Sequence, residues 1–251
     1  MKKTSIILLS LILTASTLQT DFLTEQKRYK RVRTAFNEKG EIITKRLNEN
    51  EINVDGLNIL IIAYKAEQIL EIYAKKKTKT SYKKIVSYGI CESSGQPGPK
   101  RKQGDYQVPE GFYYIDRYNP SSNFYLSLGI NYPNKSDKIK STATNLGGDI
   151  FIHGACVTIG CIPMTDNKIM EIYLYAIHAR NSGQMQIPVY IFPFKMTDKN
   201  FNEYKNKYKN NPGLVKFWTN LKVGFDKFNN ENKELNILTA KNGNYVFNLA
   251  N

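Results

Sequence analysis

The sequence predicts a mainly β fold with α additions, an α+β domain, and three observations predict it. Short runs rich in Ile, Tyr and Phe follow one another between residues 57 and 153, separated by turn residues. One stretch, from Thr165 to Gly183, instead repeats its apolar residues at helical spacing. Polar flanks with helix-like patterning lie on both sides. The chain has 251 residues, enough for one good-sized domain with extensions, and 41% hydrophobic against 23% charged residues marks a globular chain.

The elements follow in order. Lys2 and Lys3 precede an uncharged, apolar or small stretch over 5–18, then Gln19, Thr20 and Asp21. Residues 1–20 read as a secretory signal peptide, too short for a membrane span, with an uncleaved anchor as the alternative. The mature chain is then expected in the periplasm or cell envelope, with no membrane partner once the signal is removed. In residues 21–55, Phe22, Tyr29, Val32 and Phe36 predict an amphipathic helix. Residues 56–195 form the expected β-rich catalytic domain. Its strands fall at 57–64, 69–73, 85–90, 111–115, 124–130 and 149–153, all read as antiparallel, with turns at Asp55-Gly56, 95–99, Asn119-Pro120 and Gly147-Gly148. Thr165 caps the central helix and Asp166 complements its dipole. Ile169, Ile172, Tyr173, Ala176 and Ile177 make its apolar face, and Gly183 stops it. A closing strand follows at 187–194. Residues 196–251 form a basic, polar extension whose helix at 214–228 presents Phe217, Trp218, Leu221, Phe225 and Phe228 for docking on the domain.

Lys and Arg total 36 against 22 Asp and Glu, a formal charge of +14. Such a balance raises nucleic acid, an anionic membrane face or an anionic polymer as partners. The densest basic run, 75–79 followed by Lys83 and Lys84, lies between two strand-like runs and reads as a solvated hairpin tip. A nucleic-acid site would interleave aromatics and Arg on one face, and only Tyr82 interrupts this run, so nucleic-acid binding is a weak alternative; since export disfavours it, no nucleic-acid partner is expected.

The chemistry concentrates in residues 148–166. A strand ends at His153-Gly154, and a short connection returns to Gly160-Cys161 ahead of a helix. A thiolate is the attacking species in cysteine catalysis, a neighbouring imidazole can take the thiol proton, and a nearby helix N-terminus favours the anion. Gly160 leaves room for substrate, and the amides near Gly160 and Cys161 are candidates for an oxyanion site. The chain has two His, and His178 sits beside the apolar helix face, which leaves His153 as the base. His153, Cys156 and Cys161 could also hold a metal, but without a fourth ligand or paired spacing, so neither a metal nor a cofactor is expected. Lys100 and Lys102, flanking Arg101, are expected at a positive rim that binds substrate carboxylates, and Thr158 is expected to join the substrate site. The 3 Cys leave one thiol over in an oxidising compartment. Three arrangements are open: a Cys91–Cys156 bridge that frees Cys161, two buried free thiols, or a Cys156–Cys161 bridge that extinguishes the nucleophile.

The His153-Gly154 and Gly160-Cys161 core resembles the L,D-transpeptidase catalytic (YkuD) domain, specifically its YafK-like branch. Three more segments carry the resemblance: Gly98-Pro99-Lys100 leading to the run from Gly104-Asp105 to Glu110-Gly111-Phe112-Tyr113; Asn131-Tyr132-Pro133-Asn134; and Phe217-Trp218 through Phe228. It covers residues 57–194 and extends into both flanks. The resemblance implies a β-rich fold with Cys161 as nucleophile, His153 as base and the Gly154 carbonyl orienting the imidazole. It implies a thioacyl enzyme formed from a peptidoglycan stem peptide with release of a D-amino acid, then acyl transfer to an amine. The widespread Ser/Thr-His-Gly-Cys run reads Thr158-Ile159-Gly160-Cys161 here, and Pro163 stands where that pattern has Arg or Asn. The connection from His153 to Cys161 is also shorter than usual. The YafK-like branch shares these departures, and there the resemblance points at least as much to hydrolysis that releases a peptide or protein amine as to cross-linking. A non-catalytic wall-binding module is a further alternative, although a pure binder needs no thiol.

Overall fold

The computed structural model describes residues 21–248, so the expected signal peptide at 1–20 lies outside the described residues. The chain begins with α1 (Phe22–Gln26) and α2 (Lys30–Asn48). Strands β1 (Leu57–Tyr64), β2 (Ile69–Lys76), β3 (Lys83–Gly89), β4 (Gly111–Asn119) and β5 (Ser127–Ile130) follow. Then come α3 (Lys135–Lys140), β6 (Phe151–His153), β7 (Ile162–Pro163), α4 (Asp166–Asn181) and β8 (Pro188–Phe192). The chain continues through α5 (Asp198–Lys207), α6 (Pro212–Glu231), β9 (Asn236–Thr239) and β10 (Tyr245–Asn248).

Strands β1 to β8 form one sheet in the order β3-β2-β1-β8-β4-β5-β6-β7, and β9 pairs with β10 as a separate hairpin. The expectation of an all-antiparallel sheet is corrected at two pairings. Strand β8 runs parallel to β1, and β7 runs parallel to β6. The first brings together strands far apart in the chain: β8 enters the sheet between β1 and β4, parallel to the one and antiparallel to the other. The second joins strands through residues 154–161 alone, far less chain than a crossover normally takes.

Helices cover both sheet faces. On one face Leu57, Ile59, Ile61 and Ala63 of β1 share a core with α4 and, behind it, with Val32, Ala35 and Ile43 of α2. On the other, Leu60, Ile62 and Tyr64 meet Tyr190, Phe192 and the α6 residues Trp218, Leu221, Phe225 and Phe228. This is why the run Leu57–Tyr64 reads as continuously apolar rather than alternating. Helix α4 departs from its expected single apolar face. It is buried on nearly every side, between the sheet and α2, and even Tyr175 and Leu174 are fully enclosed. The basic run is the tip of the β2–β3 hairpin, as its flanking strands suggest. Among the described residues no helix is long and apolar enough to cross a membrane.

Glu110 ties the extension to the site. It is fully buried. One carboxylate oxygen accepts from Lys65 Nζ at 2.9 Å and from the Gly98 amide at 2.7 Å, and the other accepts from Trp218 Nε1 at 2.9 Å. The same Lys65 ammonium donates to the carbonyls of Gly98 and Val108 at 2.7 and 2.8 Å. The end of β1, the loop from Gly98 to Glu110 and α6 therefore meet on one carboxylate. Removing a single partner of a buried pair leaves the other charge uncompensated, at a cost of about 3–5 kcal/mol. Glu110→Ala is expected to lower unfolding free energy by about that amount, and Trp218→Phe, which deletes only a donor, by about 1–2 kcal/mol. Urea denaturation of the two variants checks the order; equal losses would remove Glu110 from its central place.

Candidate active site

The parallel pairing of β6 and β7 places the two predicted reactive residues. Ile152 stands opposite Ile162 and His153 opposite Pro163, so Cys161 falls opposite Phe151. Opposed residues share a face, and so do residues two apart on a strand, which puts Cys161 and His153 on the same side of this pair. The Met164 amide donates to the His153 carbonyl at 2.7 Å and extends the pairing. The connection is held by a disulfide between Cys91 and Cys156, with Cα atoms 5.6 Å apart, and Cys161 is free. The bridge is the first of the three arrangements left open, and it removes Cys156 from any metal-ligand set with His153 and Cys161.

His153 is buried, with its ring 4.6 Å from that of Phe124. Its Nδ1 faces the Gly154 carbonyl. A carbonyl only accepts, so Nδ1 carries the proton and Nε2 is left as the basic nitrogen. Burial pushes the imidazole pKa down, and the bond to Gly154 only partly offsets this. Gly154 must be glycine: a Cβ there would lie 2.6 Å from Asp166 Oδ1 and 2.7 Å from the Phe124 carbonyl. Asp166 also accepts from the Ala155 amide at 3.0 Å, so the first turn of α4 anchors the residue after Gly154. The other histidine, His178, packs edge-on against Phe36 of α2, and burial beside Lys27 lowers its pKa to about 4.

Cys161 is half-buried. Its Sγ accepts from the Phe151 amide at 3.4 Å and donates to the Asp149 carbonyl at 3.6 Å. Burial pushes the thiol pKa up; the Phe151 amide and Lys100 oppose this, and the Asp149 charge reinforces it. The expected help from a helix N-terminus is not realised as drawn. Strand β7 and two further residues separate Cys161 from the start of α4. Both shifts favour the neutral forms of the thiol and the imidazole.

Three expectations for the surrounding residues are corrected. The amides of Gly160 and Cys161, foreseen as oxyanion donors, both bond to Thr158 Oγ1, at 3.2 and 2.9 Å. Thr158, foreseen at the substrate, donates its hydroxyl to the Cys161 carbonyl at 2.9 Å, so it closes the turn that presents the cysteine. Gly160 sits there at φ +132°, and a Cβ would meet the Gln107 carbonyl at 3.1 Å. Lys100, foreseen on an exposed rim, is 4% exposed, because its ammonium is bonded to Asp105 at 2.6 Å and to the Lys102 carbonyl at 2.9 Å. Arg101 is likewise bonded to buried Asp137 at 2.8 Å. Only Lys102 of that trio remains exposed.

A pocket of about 190 Å³ opens beside Cys161, with Lys65, Gln68, Ser93, Ser94 and Gln96 in its wall. Ser94 Oγ is buried there without a hydrogen-bond partner among the described residues. Reasoning from sequence missed this wall, because residues 92–97 carry no reactive side chain and read simply as a turn. It missed Phe124 against His153 for a similar reason: nothing in a lone Phe signals a ring lying against this histidine.

Comparison with known proteins gives consistent findings. The family model for the YkuD L,D-transpeptidase catalytic domain matches residues 58–191. The protein named "Putative L,D-transpeptidase YafK" in Escherichia coli K12 is 38% identical over 193 residues, which covers 76% of this chain and 74% of that protein. Its Escherichia coli O157:H7 counterpart matches to the same extent. Among solved structures, the helical cell shape determining protein Pgp2 from Campylobacter jejuni aligns with a TM-score of 0.44 at 18% identity, over 73% of this chain and 74% of that one.

With Cys91 and Cys156 joined, protein purified under native conditions and then denatured is expected to show one free thiol, located at Cys161 by peptide mapping. Three thiols, or a bridge that contains Cys161, would contradict the pairing.

Proposed function

Because the chain belongs to the L,D-transpeptidase catalytic domain family, which acts on peptidoglycan, we propose that it is a cysteine acyl-transfer enzyme working on peptidoglycan stem peptides through Cys161. The observation that carries this reading is the His153 tautomer. With Nδ1 held by the Gly154 carbonyl, Nε2 is left to accept the thiol proton on the face that Cys161 shares. The thiolate attacks the carbonyl of the scissile amide. The imidazolium then returns the proton to the departing amine, leaving a thioester on Cys161. An incoming amine attacks that thioester while His153 again takes a proton, and the thiol is regenerated.

Water in place of the amine makes the same site a hydrolase. Pro163 supports keeping this second reading, since it stands where the widespread pattern has Arg or Asn and supplies no polar side chain toward an acceptor. Products from purified muropeptides separate the two: cross-linked dimers require an amine acceptor, whereas shortened stems or released amines require water.

Cys161→Ala is expected to abolish turnover, and His153→Ala to lower it about 10²–10⁴-fold, with both proteins folded. Wild-type turnover by the Cys161 variant on muropeptides would refute the assignment. The pH profile follows from the two shifts. His153 titrates below its ordinary 6.5, so the neutral base persists as pH falls through that value; Cys161 titrates above its ordinary 9.0, so the thiol persists to high pH. The profile of kcat/KM is therefore expected to be a broad plateau with its acid limb below 6.5. An acid limb above 6.5 would mean that the base is not the buried His153.

Export is part of this reading, since the substrate lies outside the cytoplasm. N-terminal sequencing of extracytoplasmic protein is expected to begin near residues 15–20; a chain still starting at Met1 would support the anchor instead.

A further inference from the structure

One side chain braces both groups that touch the Cys161 sulfur. Those groups are the Phe151 amide, at 3.4 Å, and the Asp149 carbonyl, at 3.6 Å. Arg117 rises from β4 and reaches across β5 to them. Its Nη1 donates to Asp149 Oδ1 at 2.7 Å, and its guanidinium lies 4.9 Å from the centre of the Phe151 ring. Its Nε is meanwhile fixed on Asp116 Oδ1 at 3.0 Å.

The fold makes room for this reach in two places. The β4–β5 register slips between Ile115 and Arg117, and such irregularities re-aim a side chain. On β5, Gly129 lies beneath the guanidinium, and a Cβ there would sit 2.8 Å from Arg117 Nε and 3.0 Å from Asp116 Oδ1. Asp149 itself is held at φ +55°, a conformation that a non-glycine residue adopts at a cost. A chance surface ion pair would need neither the slip nor the bare glycine.

We propose that Arg117 is a positioning residue for Cys161: acting through Asp149 and Phe151, it fixes the two groups on the sulfur and masks the Asp149 carboxylate from the thiolate. This rests on Cys161 being the nucleophile. Ionising the thiol creates a negative charge beside Asp149, and an unmasked carboxylate opposes that. The other charged group acting on the sulfur is Lys100, which favours the anion, and His153 stands on the shared face. Asp116 holds Arg117 from the other side. Exposed pairs of this kind add little to stability, so the effect belongs on the thiol rather than on the melting temperature.

The test is the pH dependence of Cys161 alkylation by iodoacetamide in the full, disulfide-bonded chain, which needs no peptidoglycan. Arg117→Gln is expected to slow alkylation at neutral pH about threefold, equivalent to a thiol titrating roughly half a unit higher. Asp149→Asn is expected to speed it, and the double variant should follow Asp149→Asn, because the masking charge has nothing left to mask. Gly129→Ala, which unseats Arg117 without removing its charge, should slow alkylation in the same direction. An Arg117→Gln profile superposed on the wild type, or a double variant as slow as Arg117→Gln, would overturn the proposal. Such a result would leave the acyl-transfer reading untouched, while inactivity on muropeptides would leave this measurement standing.

Discussion

A parallel strand pair joined by a very short connection is the constraint on which the site depends. Parallel neighbours ordinarily need a long crossover, yet β6 and β7 are linked only by residues 154–161. The hydrogen bonds of a two-residue strand cannot hold that geometry alone. Its support comes from around it: the Cys91–Cys156 bridge, Asp166 on the Ala155 amide, and the Thr158 hydroxyl bonded to both amides that lead into Cys161. Two positive-φ residues, Ala155 and Gly160, make the turns that such a short path requires. The same arrangement sets His153 and Cys161 on one face, so the fold of the connection and the chemistry of the site are one problem.

Carboxylates form the second layer of support. Buried Glu110 and Asp137 and half-buried Asp105 each collect several donors, among them groups of the loops near Gly98, Arg101 and Asn134. Asp105 shows the balance: burial raises its pKa, but Lys100 and the amides of Arg101, Lys102 and Gln107 hold it below the usual range. Asp137 shows the opposite outcome, raised by burial despite Arg101 and Tyr113. Part of the large positive charge of this chain is thus internal, so Lys65 and Lys100 serve as posts for the loops that wall the pocket.

The electrostatics describe a site at rest. Burial lowers the imidazole and raises the thiol, and both shifts favour the neutral forms. A thiol kept protonated is protected from oxidation by its own pKa, since the thiolate is the reactive form.

The sequence by itself determined a good deal. Its β-rich runs, the helix opened by Thr165 and the aromatic helix after Leu214 are local signals, written in periodicity and capping chemistry, and they needed no partner to be read. His153 and Cys161 were legible because the chain offers so few reactive side chains of those kinds. The tertiary structure decided what depends on residues far apart in the chain. The parallel pairings set β8 beside β1 and β7 beside β6, neighbours that exist only once the sheet has assembled. The burial of Lys100 came from Asp105, and the pocket wall came from residues 92–97 packing beside Cys161. Short elements such as α3, β7 and the β9–β10 hairpin carry too few residues to show a period, and only their contacts make them stable. A lysine in a sequence looks solvated and a threonine looks available, since hydrogen bonding is a property of neighbours in space; which donors remain free is settled only when the chain closes on itself.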